Sequence, residues 1–165
     1  MTENSRQLAS QGFNLVELLI VIAISSVLLT VGVPAFDSFF VTMRNDRLID
    51  GLHSALSLAR SEAIKSGRDA IVCAGSSSCT NSDEWTAGWI VTVTTIAGAN
   101  GTMLRAWPSA PDGYQVQATS EIRFKPSGQT AAGVTQAISV NGDDSASCIY
   151  VSPVGQVNIV KGGCS

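Results

Sequence analysis

Glu17 poses the first chemical question. It lies in QGFNLVELLIVIAISSVLLTVGVPAF, residues 11–36, where positions 13–33 are otherwise almost wholly apolar. A carboxylate in such surroundings costs about a few kcal/mol unless a positive group pairs with it. The cysteines offer a second chemistry. Cys73, Cys79, Cys148 and Cys164 show no CxxC spacing of the kind that holds zinc or runs dithiol exchange. An even number beyond an apolar targeting segment points instead to two disulfides in an oxidising compartment. Four cysteines allow three pairings. Locality in sequence favours Cys73–Cys79 with Cys148–Cys164, and four buried thiols are the alternative. His53 is the single histidine, with Asp50 one helical turn earlier. A lone helical histidine is far more often a surface or packing residue than a base. No serine or cysteine has a catalytic motif around it, and no glycine-rich phosphate loop or metal-ligand cluster is present. Neither an enzyme, nor a metal site, nor a cofactor is expected.

The elements that must position these residues follow from hydropathy and periodicity. Of 165 residues, 45% are apolar and only 14% charged, with a mean hydropathy of +0.24. So low a charge fraction suits a chain that is partly in lipid or packed into an assembly. The net charge of −3, with scattered basic residues, argues against non-specific nucleic-acid binding. Residues 1–12 are polar. Residues 13–33 form a run that as a helix is long enough to cross a bilayer. A cleaved secretory signal would be shorter and end in a small-residue site, which VGVPAF is not. A plain uncleaved anchor is the bland reading, with Glu17 tolerated near the interface. Arg6 before the run, against Arg44 and Arg47 after it, barely decides its orientation.

Pro34, after Gly32, is expected to kink or loosen the helix. The helical pattern then resumes. Leu48, Leu52, Leu56, Ala59 and Ala63 recur at three- and four-residue spacing, with Ile49 and Ile64 beside them. Asp46, Asp50, Arg60, Glu62 and Lys65 lie largely around the other side. Gly67 is a natural stop. One helix is therefore expected over 13–66, apolar all round at first and amphipathic later. Short β-rich runs follow at 70–74, 88–93, 103–107, 114–118, 121–125, 136–140, 148–152 and 156–160, divided by turn sequences such as PDG, PSGQ and PVGQ. These strands need cover on one face, and the stripe 48–64 supplies it. The expected class is α+β, a long helix packed on antiparallel sheet. The loop 74–84, AGSSSCTNSDE, is expected to be pinned by Cys73–Cys79.

GFNLVELL resembles the processing site of type IV prepilins and type II secretion pseudopilins. The resemblance implies cleavage after Gly12 by a prepilin peptidase, methylation of the new N-terminal Phe13, and retention of the apolar segment. Glu17 then takes the place of the glutamate at the fifth mature position, and Pro34 that of the helix-disturbing proline. Asn14 and Val16 stand where threonine and isoleucine are commoner, and the leader has one basic residue, Arg6, fewer than usual. Cleavage would leave an ammonium four residues before Glu17, a partner for the carboxylate within or between subunits. Further on, LARSEA (58–63), then IVCA, then Trp85, Gly88 and Trp89, resemble the GspH/FimT group of minor pilins and H-type pseudopilins. An ordinary helix end, with Arg60 and Glu62 solvated, and ordinary packing for both tryptophans also explain these residues.

The resemblance implies a type IV pilin-like fold in four parts: leader 1–12, transmembrane and assembly helix 13–36, amphipathic helix 37–67, and periplasmic β-rich domain 68–165. It implies a FimU-like minor pilin that primes pilus assembly or links a tip complex to the shaft. Its partners would be other minor pilins, the major pilin and the inner-membrane assembly platform. The chain would first span the inner membrane once, with its C-terminal domain in the periplasm, and later join the pilus. Three alternatives stand: an H-type pseudopilin of type II secretion, a FimT-like DNA-uptake pilin, and a single-span membrane protein unrelated to pili. The DNA reading needs a basic motif near the C-terminus. Gln156 and Asn158 occupy its arginine positions and only Lys161 is left, so DNA is not favoured.

Overall fold

The computed structural model describes residues 14–95, 100–142 and 145–164. It describes no side chains for 31–38, 40, 41 and 100. The first helix, α1, spans Leu15–Ser66. The chain divides into two compact units, 1–40 and 41–165. Helical backbone continues through Gly32 and Pro34. Gly67 ends the helix as its sequence position predicts. It takes φ 65°, and its N–H returns to the Ala63 carbonyl at 3.1 Å, the left-handed C-terminal cap that glycine enters at least cost.

In the second unit, eight strands follow the helix: β1 (Ala70–Ala74), β2 (Trp89–Thr94), β3 (Asn100–Trp107), β4 (Gln115–Gln117), β5 (Glu121–Phe124), β6 (Gln136–Asn141), β7 (Ala146–Val151) and β8 (Val157–Lys161). Each coincides with one of the β-rich runs read from the sequence. They form two antiparallel four-stranded sheets, in the orders β3-β2-β1-β5 and β4-β6-β7-β8. That division into two sheets is not visible in the runs themselves.

Alternation along the strands decides what each sheet buries. In the first sheet, Ala70, Val72, Trp89, Val91, Ile122 and Phe124 join one core cluster with Leu48, Leu52, Leu56, Ala59 and Ala63 of α1. Val116, Ile138, Val140, Ile149 and Val151 bring the second sheet into the same cluster. Both sheets thus share one core with the stripe of α1. Asn45 Nδ2 donates to Ser147 Oγ at 3.3 Å, a buried polar tie between α1 and β7. The opposite face of the first sheet forms a small second cluster, Ile71, Cys73 and Ile90, with Cys79 packed against it.

Two expectations about α1 are corrected. Ile64 is 54% exposed rather than part of the buried stripe. It lies over the turn at Gly128, where an added Cβ would stand 2.9 Å from the Ile64 side-chain tip. Arg60 is only partly solvated. It is half-buried, its Nη2 donates to the Val154 carbonyl at 3.1 Å, and its Nε is buried without a partner. A Cβ on Gly128 or Gly155 would approach that Nε within 3.3 and 3.1 Å. Two glycine turns, 125–128 and 152–155, leave room for the guanidinium, and nothing in LARSEA itself foretells them.

Candidate functional site

Asn14 starts α1 as an N-cap. Its side-chain oxygen accepts from the Val16 N–H at 3.3 Å, and its carbonyl accepts from Leu18 N–H at 3.1 Å. An amide side chain at this position satisfies a backbone donor that has no helical partner. Glu17 falls in the first turn and is exposed. A carboxylate there is favoured by the positive end of the helix dipole.

Beyond Glu17 the helix is apolar on every side. Leu15, Val16, Leu18, Leu19, Ile20, Val21, Ile22, Ile24, Val27, Leu28 and Leu29 are 53–72% exposed. The two polar residues with described bonds in this stretch satisfy themselves. Ser26 Oγ donates to the Ala23 carbonyl at 2.8 Å, and Thr30 Oγ1 to the Val27 carbonyl at 2.7 Å. Hydroxyls bonded back to the preceding turn make little demand on water. A helix apolar all round calls for apolar surroundings, and among the described residues none covers this stretch. Among the described residues, no helix is long and apolar enough to cross a membrane. The described side chains of this run stop at Thr30. Gly12 and Phe13 lie outside the described residues, as does the side chain of Pro34.

The cysteines pair as their locality suggested: Cys73 with Cys79 and Cys148 with Cys164. The first closes the loop after β1. Within it, Thr80 N–H donates to the Ala74 carbonyl at 3.0 Å. The chain from that loop then reaches the second sheet, where Trp85 N–H donates to the Val116 carbonyl at 2.8 Å and Ala118 N–H to the Asp83 carbonyl at 2.9 Å. The second disulfide fastens the segment after β8 to β7. Trp85 and Trp89 are both in the core. Gly88, between them, takes φ 116°, and a Cβ there would stand 2.7 Å from the Trp107 carbonyl. Glycine at this position follows from close backbone approach.

The remaining candidates stay apart. His53 and Asp50 are exposed on α1. Lys161 is exposed at the end of β8, at one edge of the second sheet. Gln156 and Asn158, also exposed, add no positive charge near it. Lys161 therefore gains no basic neighbour from these positions for phosphate contact.

A family model described as "Type II transport protein GspH" matches residues 48–155. The fold is shared with the type IV minor pilin FimU of Pseudomonas aeruginosa, at 17% identity and TM-score 0.60, covering 73% of this chain and 92% of that one. It is shared also with the minor pseudopilin EpsH from the type 2 secretion system of Vibrio cholerae, at 14% identity and TM-score 0.51, covering 68% of this chain and 92% of that one. Among curated proteins, none matches significantly.

Proposed function

The chain belongs to the family of the type II transport protein GspH, and from that premise we propose that it works as a minor type IV pilin, a structural subunit that primes filament assembly or joins a tip complex to the shaft. The observation that carries this reading is the uncovered apolar half of α1, with Glu17 in its first turn. In the proposed cycle the chain is made with leader 1–12, which a prepilin peptidase removes after Gly12. Phe13 becomes the methylated N-terminus. Residues 13–36 hold the protein in the inner membrane, with 37–67 and the β-rich domain 68–165 in the periplasm. The same apolar side chains then leave lipid for neighbouring helices in the filament, at little net cost in hydrophobic burial.

Glu17 supplies direction in this scheme. In apolar packing its carboxylate draws the Phe13 ammonium of its own or an adjacent subunit, because attraction between charges strengthens as the dielectric falls. Pro34 would ease bending of the helix as it is packed. The partners are other minor pilins, the major pilin and the assembly platform.

Intact-mass measurement of membrane-extracted protein tests the first step. The expected product lacks residues 1–12 and carries one added methyl. Retention of the leader would sink the reading. The expected result for Glu17→Ala is a protein that stays in the membrane fraction and falls at least about tenfold in sheared filaments. Normal incorporation would remove the charge-pairing step. A type II secretion pseudopilin is the second reading, favoured by the family's own description and by the likeness to EpsH. Deletion of the gene separates the two: loss of twitching motility supports the pilin, loss of exoprotein release the pseudopilin.

A further inference from the structure

A pocket of ≈ 190 Å³ lies between α1 and the β3 end of the first sheet. Its lining includes Leu48, Trp89, Trp107 and Pro108, with Arg44 and Arg47 at one side. Trp89 and Trp107 are directly paired across β2 and β3, and their rings stack at 15° with centroids 6.5 Å apart. Gly51 of α1 lets the helix come close to these rings. A Cβ there would stand 3.3 Å from Trp89 and 3.4 Å from Trp107.

The charged side chains that line this pocket are both arginines. Arg44 and Arg47 are exposed, three residues apart on α1, and so on neighbouring positions of one face. Among the described residues neither has an ion-pair or side-chain hydrogen-bond partner. Arg105 adds a third cation nearby, its guanidinium 4.9 Å from the Trp107 ring centroid. Among the described residues, no carboxylate lines the pocket. In a chain of net charge −3, this is a local excess of positive charge and hydrogen-bond donors beside an apolar floor.

We propose that this pocket receives one apolar or aromatic side chain from a neighbouring protein subunit, with a carboxylate beside it that Arg44 and Arg47 hold. The size fits one large side chain and falls below the roughly 300–1,000 Å³ of sites built for larger small-molecule ligands. The same limit disfavours a phospholipid, whose acyl chains need a longer groove. Aromatic rings and arginines around a pocket are the composition of interface anchor points, and a paired guanidinium site selects planar carboxylates. That the supplier is a fellow filament subunit rests on the proposed function; the chemistry of the pocket does not.

The test uses the whole chain in detergent, with its tryptophans labelled with nitrogen-15 so that each indole N–H is followed separately. The probe is N-acetyl-phenylalanyl-glutamate, with N-acetyl-phenylalanine amide as its neutral counterpart. The dipeptide is expected to shift the Trp89 and Trp107 signals below about 20 mM, the weak range of so small a ligand, and to leave Trp85 in place. Arg44→Glu with Arg47→Glu is expected to weaken that binding at least about tenfold, while Arg44→Lys with Arg47→Lys keeps part of it. No shift at the highest concentration overturns the proposal. So do equal shifts with the neutral amide, or tighter saturation by dihexanoylphosphatidylglycerol, which would assign the pocket to lipid. None of these outcomes depends on filament assembly, so they leave the pilin reading to be judged by leader removal and Glu17.

Discussion

Leu15–Leu29 and Leu48–Ala63 belong to one helix and are both rich in leucine, yet they meet water in opposite ways. In the first stretch the large apolar side chains are more than half exposed on every side. In the second, Leu48, Leu52, Leu56, Ala59 and Ala63 are buried along one stripe, while Asp50 and His53 stay outside. The difference teaches where each stretch finds its stability. The later stripe is covered by two sheets of its own chain, so its burial is part of folding. Among the described residues the earlier stretch has no such cover, and on the proposed function its burial comes from lipid or from other subunits. On the proposed function, one secondary structure serves folding at one end and association at the other.

Removing the first unit should have the largest effect. A chain starting at Val41 keeps the whole core and both disulfides. It is expected to remain monomeric without detergent, while the full chain aggregates; light scattering after size exclusion reads the difference. A monodisperse full chain in plain buffer would break the comparison. Next comes Leu52→Ala, at a fully buried position. It should cost about 2–5 kcal/mol in chemical denaturation. Leu19→Ala, on the exposed stretch, should leave the same denaturation curve within about 0.5 kcal/mol. A similar loss at both positions would erase the distinction.

Gly67→Ala is a smaller probe. Nothing lies within 4 Å of the added Cβ, so the positive φ alone opposes it. It should cost about 1 kcal/mol, read as a lowered denaturation midpoint at unchanged slope. The smallest effect should come from Ser26→Ala. The Ser26 hydroxyl bonds only to its own helix, so filament incorporation should be nearly unchanged. A strong loss there would mean that the hydroxyl meets a neighbouring subunit, and would sharpen the account of what covers this face.

Much of this architecture could be read before any coordinates. The stripe Leu48–Ala63 shows itself because a helix repeats every 3.6 residues and a buried face must repeat with it. Gly67 shows itself because a left-handed cap favours glycine. The β-rich runs stand out because turn residues divide them. Local pattern points to a solvated Arg60, since arginine at a helix end is usually in water. Its actual place depends on Gly128 and Gly155, more than sixty residues away. Ile64 misled for a related reason. It lies close to the apolar stripe, but the surface opposite it is a turn, not a sheet.

By itself, then, the sequence determined the properties that depend on neighbouring residues: the helix and its stop, the strand segments, and the apolar segment with its single acid; locality favoured one cysteine pairing, which the structure then fixed. Only the tertiary structure decided that the strands form two sheets around one core, that Arg60 lies against paired glycine turns, and that Arg44 and Arg47 share a pocket with Trp89 and Trp107. The reason is physical. Backbone conformation and side-chain periodicity are set within a few residues, whereas a pocket is set by which distant surfaces the packing of the core brings together, and no local pattern records that.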